Sequence, residues 1–186
     1  GRLTVADGHL GIWSALGELY PEGKQQRCWN HKIRNVLDSF PKKVRSEAGE
    51  YLKRIPYAET LSECERLRDA FVNRYRKNYP KATEKLLSDW ARMIAFYSFP
   101  KEHWAHIRTT NVVESPFSSV RLRTDASKRF KKVQNATAMI WKLLLVAEKN
   151  FRTLKGYWLL PEVYTGKKFI DGVAKHETKA LERKAA

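Results

Sequence analysis

The sequence predicts a mainly α-helical protein that opens on a short parallel β element. Apolar residues recur at helical spacing almost throughout beyond Asn30, and the first thirty residues carry two β-type runs separated by one helix. At 186 residues the chain can build one good core, or a core with a small appendage, and is too short for a large multidomain enzyme. A hydrophobic content of 42%, with eight Phe, eight Tyr and six Trp, excludes a disordered basic tail.

Leu3 to Ala6 is the first β-type run, and it ends at Asp7-Gly8. Ile12, Trp13, Leu16, Leu19 and Tyr20 then recur at helical spacing until Pro21, Glu22 and Gly23 stop the helix. Gln25 to Trp29 forms the second strand, and a strand, helix, strand unit of this length makes the two strands parallel. Three helical stretches follow: Val44, Ala48, Tyr51, Leu52 and Ile55; Leu61, Cys64, Leu67, Phe71 and Tyr75; Leu87, Trp90, Ile94 and Tyr97. Pro41, Pro56, Pro80 and Pro100 punctuate them, and Thr60 with Glu63 is a capping box. A last amphipathic helix is expected from Ala136 to Phe151, with Met139, Ile140, Leu143, Leu144 and Ala147 on its apolar face. The polar tail after Lys175 is expected to fray.

The longest apolar run, Leu143 to Ala147, falls far short of the roughly 20 residues that cross a bilayer, so no transmembrane helix and no membrane partner are expected. The chain opens on Gly1-Arg2-Leu3 without an initiator Met or a signal core, as if cut from something longer. Cys28 and Cys64 are too few for a disulfide framework and read as reduced thiols in a cytosolic compartment.

The formal net charge is +16, and its distribution is uneven. Residues 1–30 are neutral and residues 31–120 carry +6, spread along the helical stretches. Residues 121–155 hold Arg121, Arg123, Lys128, Arg129, Lys131, Lys132, Lys142, Lys149, Arg152 and Lys155 against Asp125 and Glu148, half of the whole excess. Such a block repels itself unless a polyanion neutralises it, and counterion release from phosphates gives salt-dependent nucleic-acid affinity. The same block also reads as a solubilising loop.

Three short segments could carry chemistry. Asp7 stands at the carboxyl end of a parallel strand, where open α/β sheets place ligands and metals; an Asp-Gly there is also a turn or a helix cap. Arg108-Thr109-Thr110-Asn111-Val112-Val113-Glu114 leads polar donors to a carboxylate, a combination suited to a phosphodiester and a divalent cation. Asn111 with Glu114 also reads as a capping box, whereas Ser115-Pro116 would start the helix after Glu114 and leave that carboxylate unexplained. Cys28-Trp29-Asn30-His31 is a Cys-x-x-His pair. A four-ligand zinc site would need His103 and His106 as well, and no bound zinc is expected. No Gly-rich phosphate loop, Gly-x-Ser-x-Gly elbow or His-Glu-x-x-His is present, which leaves nucleotide hydrolase, serine hydrolase and metalloprotease readings without support.

Taken together, Val5-Ala6-Asp7-Gly8-His9-Leu10-Gly11-Ile12, Gln26-Arg27-Cys28-Trp29-Asn30-His31-Lys32, Arg108-Thr109-Thr110-Asn111 with Glu114, Arg121-Leu122-Arg123-Thr124 and Phe130-Lys131-Lys132 resemble the Mutator-type bacterial insertion-sequence transposases. The likeness runs in order over about residues 3–173. It implies a partial RNase H-like α/β core interrupted by an all-helical insertion. Residues 1–31 would belong to the core, 32–106 to the insertion, 107–155 to a Glu-bearing helix, the basic segment and a C-terminal core helix, and 156–186 to a tail. It further implies an Asp/Asp/Glu triad in which Asp7 matches the second Asp and Glu114 the Glu, holding two Mg²⁺ (or Mn²⁺) ions. Water, then a freed 3′-hydroxyl, would be the nucleophile for strand cleavage and strand transfer. Cys28 and His31 match the family's Cys-x-x-His motif.

On the same resemblance Trp104 lies where related enzymes set an aromatic against DNA, and Arg108, Asn111, Arg121, Arg123, Lys128, Arg129, Lys131 and Lys132 are candidate DNA contacts. The implied partners are transposon terminal repeats and target DNA, with a homo-oligomer when full length and a cytoplasmic, nucleoid-associated location in bacteria. The competing reading is a non-enzymatic basic DNA-binding module or an inactive remnant, in which Asp7 and Glu114 only cap helices. No acidic residue precedes Asp7, so the first Asp of the triad is missing from this chain. The purified 186-residue chain is accordingly expected to show no strand transfer on its own. Mg²⁺-dependent cleavage of a terminal-repeat duplex by it, read on a denaturing gel, would contradict that expectation.

Overall fold

Two short strands open the chain in the computed structural model, which describes residues 3–175. β1 (Leu3–Ala6) and β2 (Lys24–Arg27) pair in parallel, Leu3 opposite Lys24 and Ala6 opposite Arg27, with α1 (Leu10–Leu19) as the crossover. β2 ends two residues before the expected Trp29. The Cys28 N–H makes a last bond to the Ala6 carbonyl (2.7 Å), and Trp29 opens α2 (Trp29–Leu37), its N–H taken by the Arg108 carbonyl at 3.0 Å. Of the apolar stripe on α1, only Trp13 is buried.

The helical part follows the periodicity closely at first. α3 (Lys42–Arg54) and α4 (Leu61–Tyr75) fall where the apolar repeats place them, whereas α5 (Pro80–Leu87) lies between the second and third expected stretches, marked in the sequence by Pro80 alone. Pro41 precedes α3 and Pro80 occupies the first turn of α5, where a missing N–H costs no helical bond. Thr60 caps α4 by accepting the Glu63 N–H at 3.2 Å.

The third expected stretch, Leu87 to Tyr97, is not one helix. Asp89 takes a left-handed backbone (φ 59°), and the chain continues as α6 (Trp90–Met93), 3-10 turns at Ala95–Ser98 and Lys101–His103, and α7 (Trp104–Ile107). The buried Gln26 side chain stands in for helical bonds here. Its amide donates to the carbonyls of Met93 (3.0 Å) and Arg27 (2.9 Å), and its oxygen accepts the Phe96 N–H (2.9 Å). The core lies among these helices. Trp29, Phe40, Leu52, Phe71, Leu86 and Phe96 are all buried in it, and the Phe40 ring meets the edges of Phe71 and Tyr75.

α8 (Asn111–Ala126) and α9 (Val133–Glu148) then pack on each other. The sequence places α9 at 136 to 151 as a core helix. It starts and ends three residues earlier, and none of its residues is buried, because its main neighbour is α8 and one helix covers only a strip of another. Beyond it come a 3-10 turn at Tyr157–Leu159, α10 (Leu160–Tyr164) and an antiparallel pair, β3 (Phe169–Ile170) with β4 (Val173–Ala174). That pair is tied back by Lys101 N–H to the Gly172 carbonyl (3.1 Å) and Gly172 N–H to the Tyr97 carbonyl (3.2 Å). Gly172 has φ +79°, and a Cβ there would lie 2.8 Å from the Lys101 amide nitrogen, so the turn requires glycine. The tail after Lys175 lies outside the described residues. Among the described residues no helix is long and apolar enough to cross a membrane.

Lys32 is 1% exposed and donates to the carbonyl and hydroxyl of Ser88. Burial lowers its pKa to about 8; the Arg27 charge adds to this and Asp89 opposes it. Below that value the ammonium is charged in both folded and unfolded chains, and the folded chain carries the desolvation cost. Between it and the unfolded value of about 10.4, the folded chain sheds a proton that the unfolded chain keeps, so stability from this group rises with pH. Replacing Lys32→Met is expected to raise the melting temperature at about pH 7, and the gap to the parent should shrink toward about pH 9.5. Circular dichroism melts of both chains at the two pH values check this.

Candidate functional site

The site is built where the two parallel strands end. Asp7 follows β1 and Cys28 follows β2, joined by the bond from the Cys28 N–H to the Ala6 carbonyl. Asp7 is half-buried, and its Oδ1 accepts the His9 N–H at 2.9 Å, a contact that fixes the entry to α1. Next to it, a Cβ on Gly8 would meet the Arg27 guanidinium at 2.2 Å. Arg27 is itself held by Asp89 (Nη1 to Oδ2, 2.7 Å), so this corner is crossed by a buried cation with its own carboxylate.

The start of α8 docks against the same corner. Thr110 directs its N–H at Cys28 Sγ (3.3 Å), with its hydroxyl oxygen 3.2 Å from the sulfur. Asn30 Nδ2 donates to Asn111 Oδ1 at 2.9 Å. The Thr110 hydroxyl also donates to the Glu114 carboxylate, and His31 Nδ1 stands 3.8 Å from Glu114 Oε1. One ligand atom each from Cys28, His31 and Glu114 lie within 4.8 Å of one another, the one such group of three metal-ligating side chains among the described residues. His31 Nδ1 is buried and has no hydrogen-bond partner.

Neither expected start for this helix is the observed one. Thr110, not Asn111, occupies the cap position, and its carbonyl accepts the N–H groups of Val113 and Glu114 at 3.0 Å. Pro116 lies inside the helix instead of opening it. Its missing N–H leaves the Val112 carbonyl without a helical partner, which water can supply because Val112 is 54% exposed. Glu114 is therefore not the far end of a capping box; its carboxylate turns to Thr110 and His31.

Several expected DNA contacts sit elsewhere. Trp104 is 4% exposed: its indole N–H donates to the Phe99 carbonyl (2.9 Å) and its ring packs edgewise on Phe96 and Tyr97, so it is a core residue. Arg108 is partly buried, bonded to the carbonyls of Pro56 and Trp104, and stacked 4.3 Å over the Tyr57 ring; burial lowers its pKa. It ties helices together. Asn111 is exposed but held by Asn30. Arg121, Arg123, Lys128, Arg129, Lys131 and Lys132 are all exposed, and none makes an ion pair among the described residues. His103 and His106 stand outside the Cys28 group. His103 Nε2 lies 2.9 Å from the Gly156 carbonyl and His106 Nε2 accepts the Lys155 N–H, so both anchor the chain after α9.

Sequence reasoning missed the part played by Thr110 and Asn30. The Thr110–Glu114 spacing of four residues could have suggested a contact on one helix face, but nothing local marks the reach to Cys28 across 82 positions. A second basic surface was also missed: Lys24, Lys168 and Lys175 line a cleft with Ser98 and Phe99, at the end of β2 opposite Cys28.

Comparison with known proteins adds a lineage to this geometry. The family model described as "Transposase, Mutator family" matches residues 2–153. The chain is 43% identical over 171 residues to the transposase for insertion sequence element IST2 of Acidithiobacillus ferrooxidans, covering 92% of this chain and 58% of that protein. It is 38% identical over 181 residues to the transposase for insertion sequence element IS6120 of Mycolicibacterium smegmatis, covering 97% of this chain and 54% of the relative. The transposase for insertion sequence element ISRM5 of Rhizobium meliloti is 26% identical over 167 residues, covering 90% of this chain and 42% of that protein. The chain thus spans little more than half the length of the first two relatives.

Both cysteines are 0% exposed, and burial pushes the Cys64 thiol up to about 11. Iodoacetamide is expected to label neither in the native chain at neutral pH and both in denaturant. Mass spectrometry of the labelled peptides reads this; rapid native labelling of Cys28 would mean that the junction between β2 and α2 opens.

Proposed function

This chain belongs to the Mutator family of transposases, and from that premise we propose that it forms part of a site that cuts and rejoins DNA strands on an RNase H-like core. On this reading Asp7 and Glu114 are two of three carboxylates holding Mg²⁺ or Mn²⁺, and the third lies in sequence upstream of Asp7. The observation behind the reading is the run of contacts from the Ala6 carbonyl through Cys28 and Thr110 to Glu114, which ties the Glu-bearing helix to the strand end that Asp7 follows.

The donors fit such ions. Both side chains offer hard carboxylate oxygens, the ligand type Mg²⁺ and Mn²⁺ take. Glu114 is about half exposed, and among the described residues its Oε2 and the Asp7 Oδ2 make no hydrogen bond, so each keeps an oxygen for a ligand. When bound, the ions supply activation of the attacking oxygen and stabilisation of the leaving one. The chain's own residues hold the carboxylates in place: the Thr110 hydroxyl orients Glu114, and the His9 N–H orients Asp7. The cations from Arg121 to Lys132 follow Glu114 along α8 and its turn, where they can neutralise the phosphates of terminal-repeat or target DNA. The second reading, a DNA-binding module without chemistry, is favoured by one contact: the Asp7–His9 bond is what a helix-entry residue would make.

Both readings give DNA affinity, and they separate on chemistry. In a chain extended upstream to supply the third carboxylate, Glu114→Gln and Asp7→Asn are each expected to abolish Mg²⁺-dependent cleavage while changing duplex affinity less than about twofold, since neither touches the basic segment. Unchanged cleavage in either variant would leave the binding module. For this chain, replacing Lys131 and Lys132 with Ala is expected to weaken duplex binding. The slope of log K against log salt should fall by about 0.9 for each phosphate that a lysine no longer neutralises. Fluorescence anisotropy over a salt series measures it.

A further inference from the structure

The Cys28-x-x-His31 pair has no task in the reading above. We propose that it is a positioning device for Glu114, with Cys28 acting through Thr110 and His31 acting as a wall beside the carboxylate. This rests on the reading of Glu114 as a metal-holding group.

The Glu114 carboxylate has no hydrogen to give and the Thr110 hydroxyl has one, which goes to the carboxylate. The same hydroxyl oxygen lies 3.2 Å from Cys28 Sγ, so the thiol hydrogen is the one left to fill that contact, while the sulfur accepts the Thr110 N–H. Each group then donates once, in the order Thr110 N–H, Cys28 S–H, Thr110 O–H, carboxylate. The arrangement fixes two things together: the backbone at the start of α8 and the orientation of the Glu114 side chain. Because Cys28 is fully buried and its own N–H is bonded to Ala6, the relay is anchored to the sheet.

His31 explains the spacing. Three positions after Cys28 on the first turn of α2, it faces the same helix start. At 3.8 Å its Nδ1 is beyond hydrogen-bond length from Oε1, so the ring limits the swing of the carboxylate without holding it. The bond from Asn30 to Asn111, between the two motif positions, sets the register of α2 against α8. The same three side chains could instead grip a thiophilic metal through sulfur. The relay is favoured because the sulfur and the carboxylate are already engaged with Thr110, and it needs only a small side chain with one donor hydrogen at position 28.

The test uses the 186-residue chain and three readouts: Mn²⁺ affinity by electron paramagnetic resonance, amide hydrogen exchange over residues 110–114, and zinc content by elemental analysis. Cys28→Ala and Thr110→Val are expected to weaken Mn²⁺ binding by about tenfold or more, the usual cost of losing a group that orients a ligand, and to speed exchange at Glu114. Cys28→Ser, which keeps the donor hydrogen, is expected to restore both toward the parent. Glu114→Gln tests the underlying reading separately: if it leaves Mn²⁺ affinity intact, the metal role of Glu114 fails, while the exchange readout still decides whether Cys28 and Thr110 position that residue. Parent-like exchange in both Cys28→Ala and Thr110→Val would overturn the proposal. So would one zinc per chain that is lost in Cys28→Ser. If Cys28→Ala does not fold, Thr110→Val against Cys28→Ser carries the comparison.

Discussion

Four consecutive buried residues, Gln26 to Trp29, carry the connection between the parallel strands and everything else. A pair of four-residue strands has too little surface to be stable alone. Gln26 reaches the backbone of Met93 and Phe96, Arg27 reaches Asp89, Cys28 reaches Thr110, and Trp29 bonds to the Met93 carbonyl by its side chain and to Arg108 by its main chain. Polar groups taken out of water along this seam must be paired, and each of these pairs joins segments more than sixty residues apart. The pairing fixes the helical part against the strand ends, and with it the distance over which the site residues can meet.

The two halves of the molecule are stabilised differently. Between α2 and α7 an aromatic core closes around Trp29, Phe40, Phe71, Phe96 and Trp104. The α8 and α9 pair has no such core: Val120 is its one buried residue, while Phe117, Leu122, Trp141 and Val146 stay exposed. Glu114 sits where the two halves join, rigidly supported on its Thr110 side and open on the other. That is the compromise a group must strike if it is both oriented and able to take a ligand.

The helices α3 and α4 are legible in the sequence because their apolar residues repeat at the helical period and Pro41 and Thr60 mark their starts, all local signals; of α5 only its start is marked, by Pro80. The parallel pair is legible for a similar reason, since a strand, helix, strand run has the length of a crossover connection and not of a hairpin turn. Asp7, Cys28, His31 and Glu114 stand out in the sequence as residue types, but the clustering of Cys28, His31 and Glu114 does not. The role of Trp104 is not legible either, because an aromatic residue in a polar stretch looks the same in sequence whether its ring meets a ligand or Phe96 and Tyr97. The break at Asp89 is hidden for a different reason: the helical period continues through Ile94 and Tyr97, and only the Gln26 side chain, from far upstream, takes over the backbone bonds.

The sequence by itself determined the helical class, the opening strand, helix, strand unit, the basic block and the family likeness, because each depends on neighbours along the chain or on short motifs. The tertiary structure alone decided that Cys28, His31 and Glu114 share one corner and that Thr110 links two of them. Those outcomes depend on contacts between segments about eighty residues apart, and such contacts are set by how the helices pack, not by the local preferences of the residues that make them.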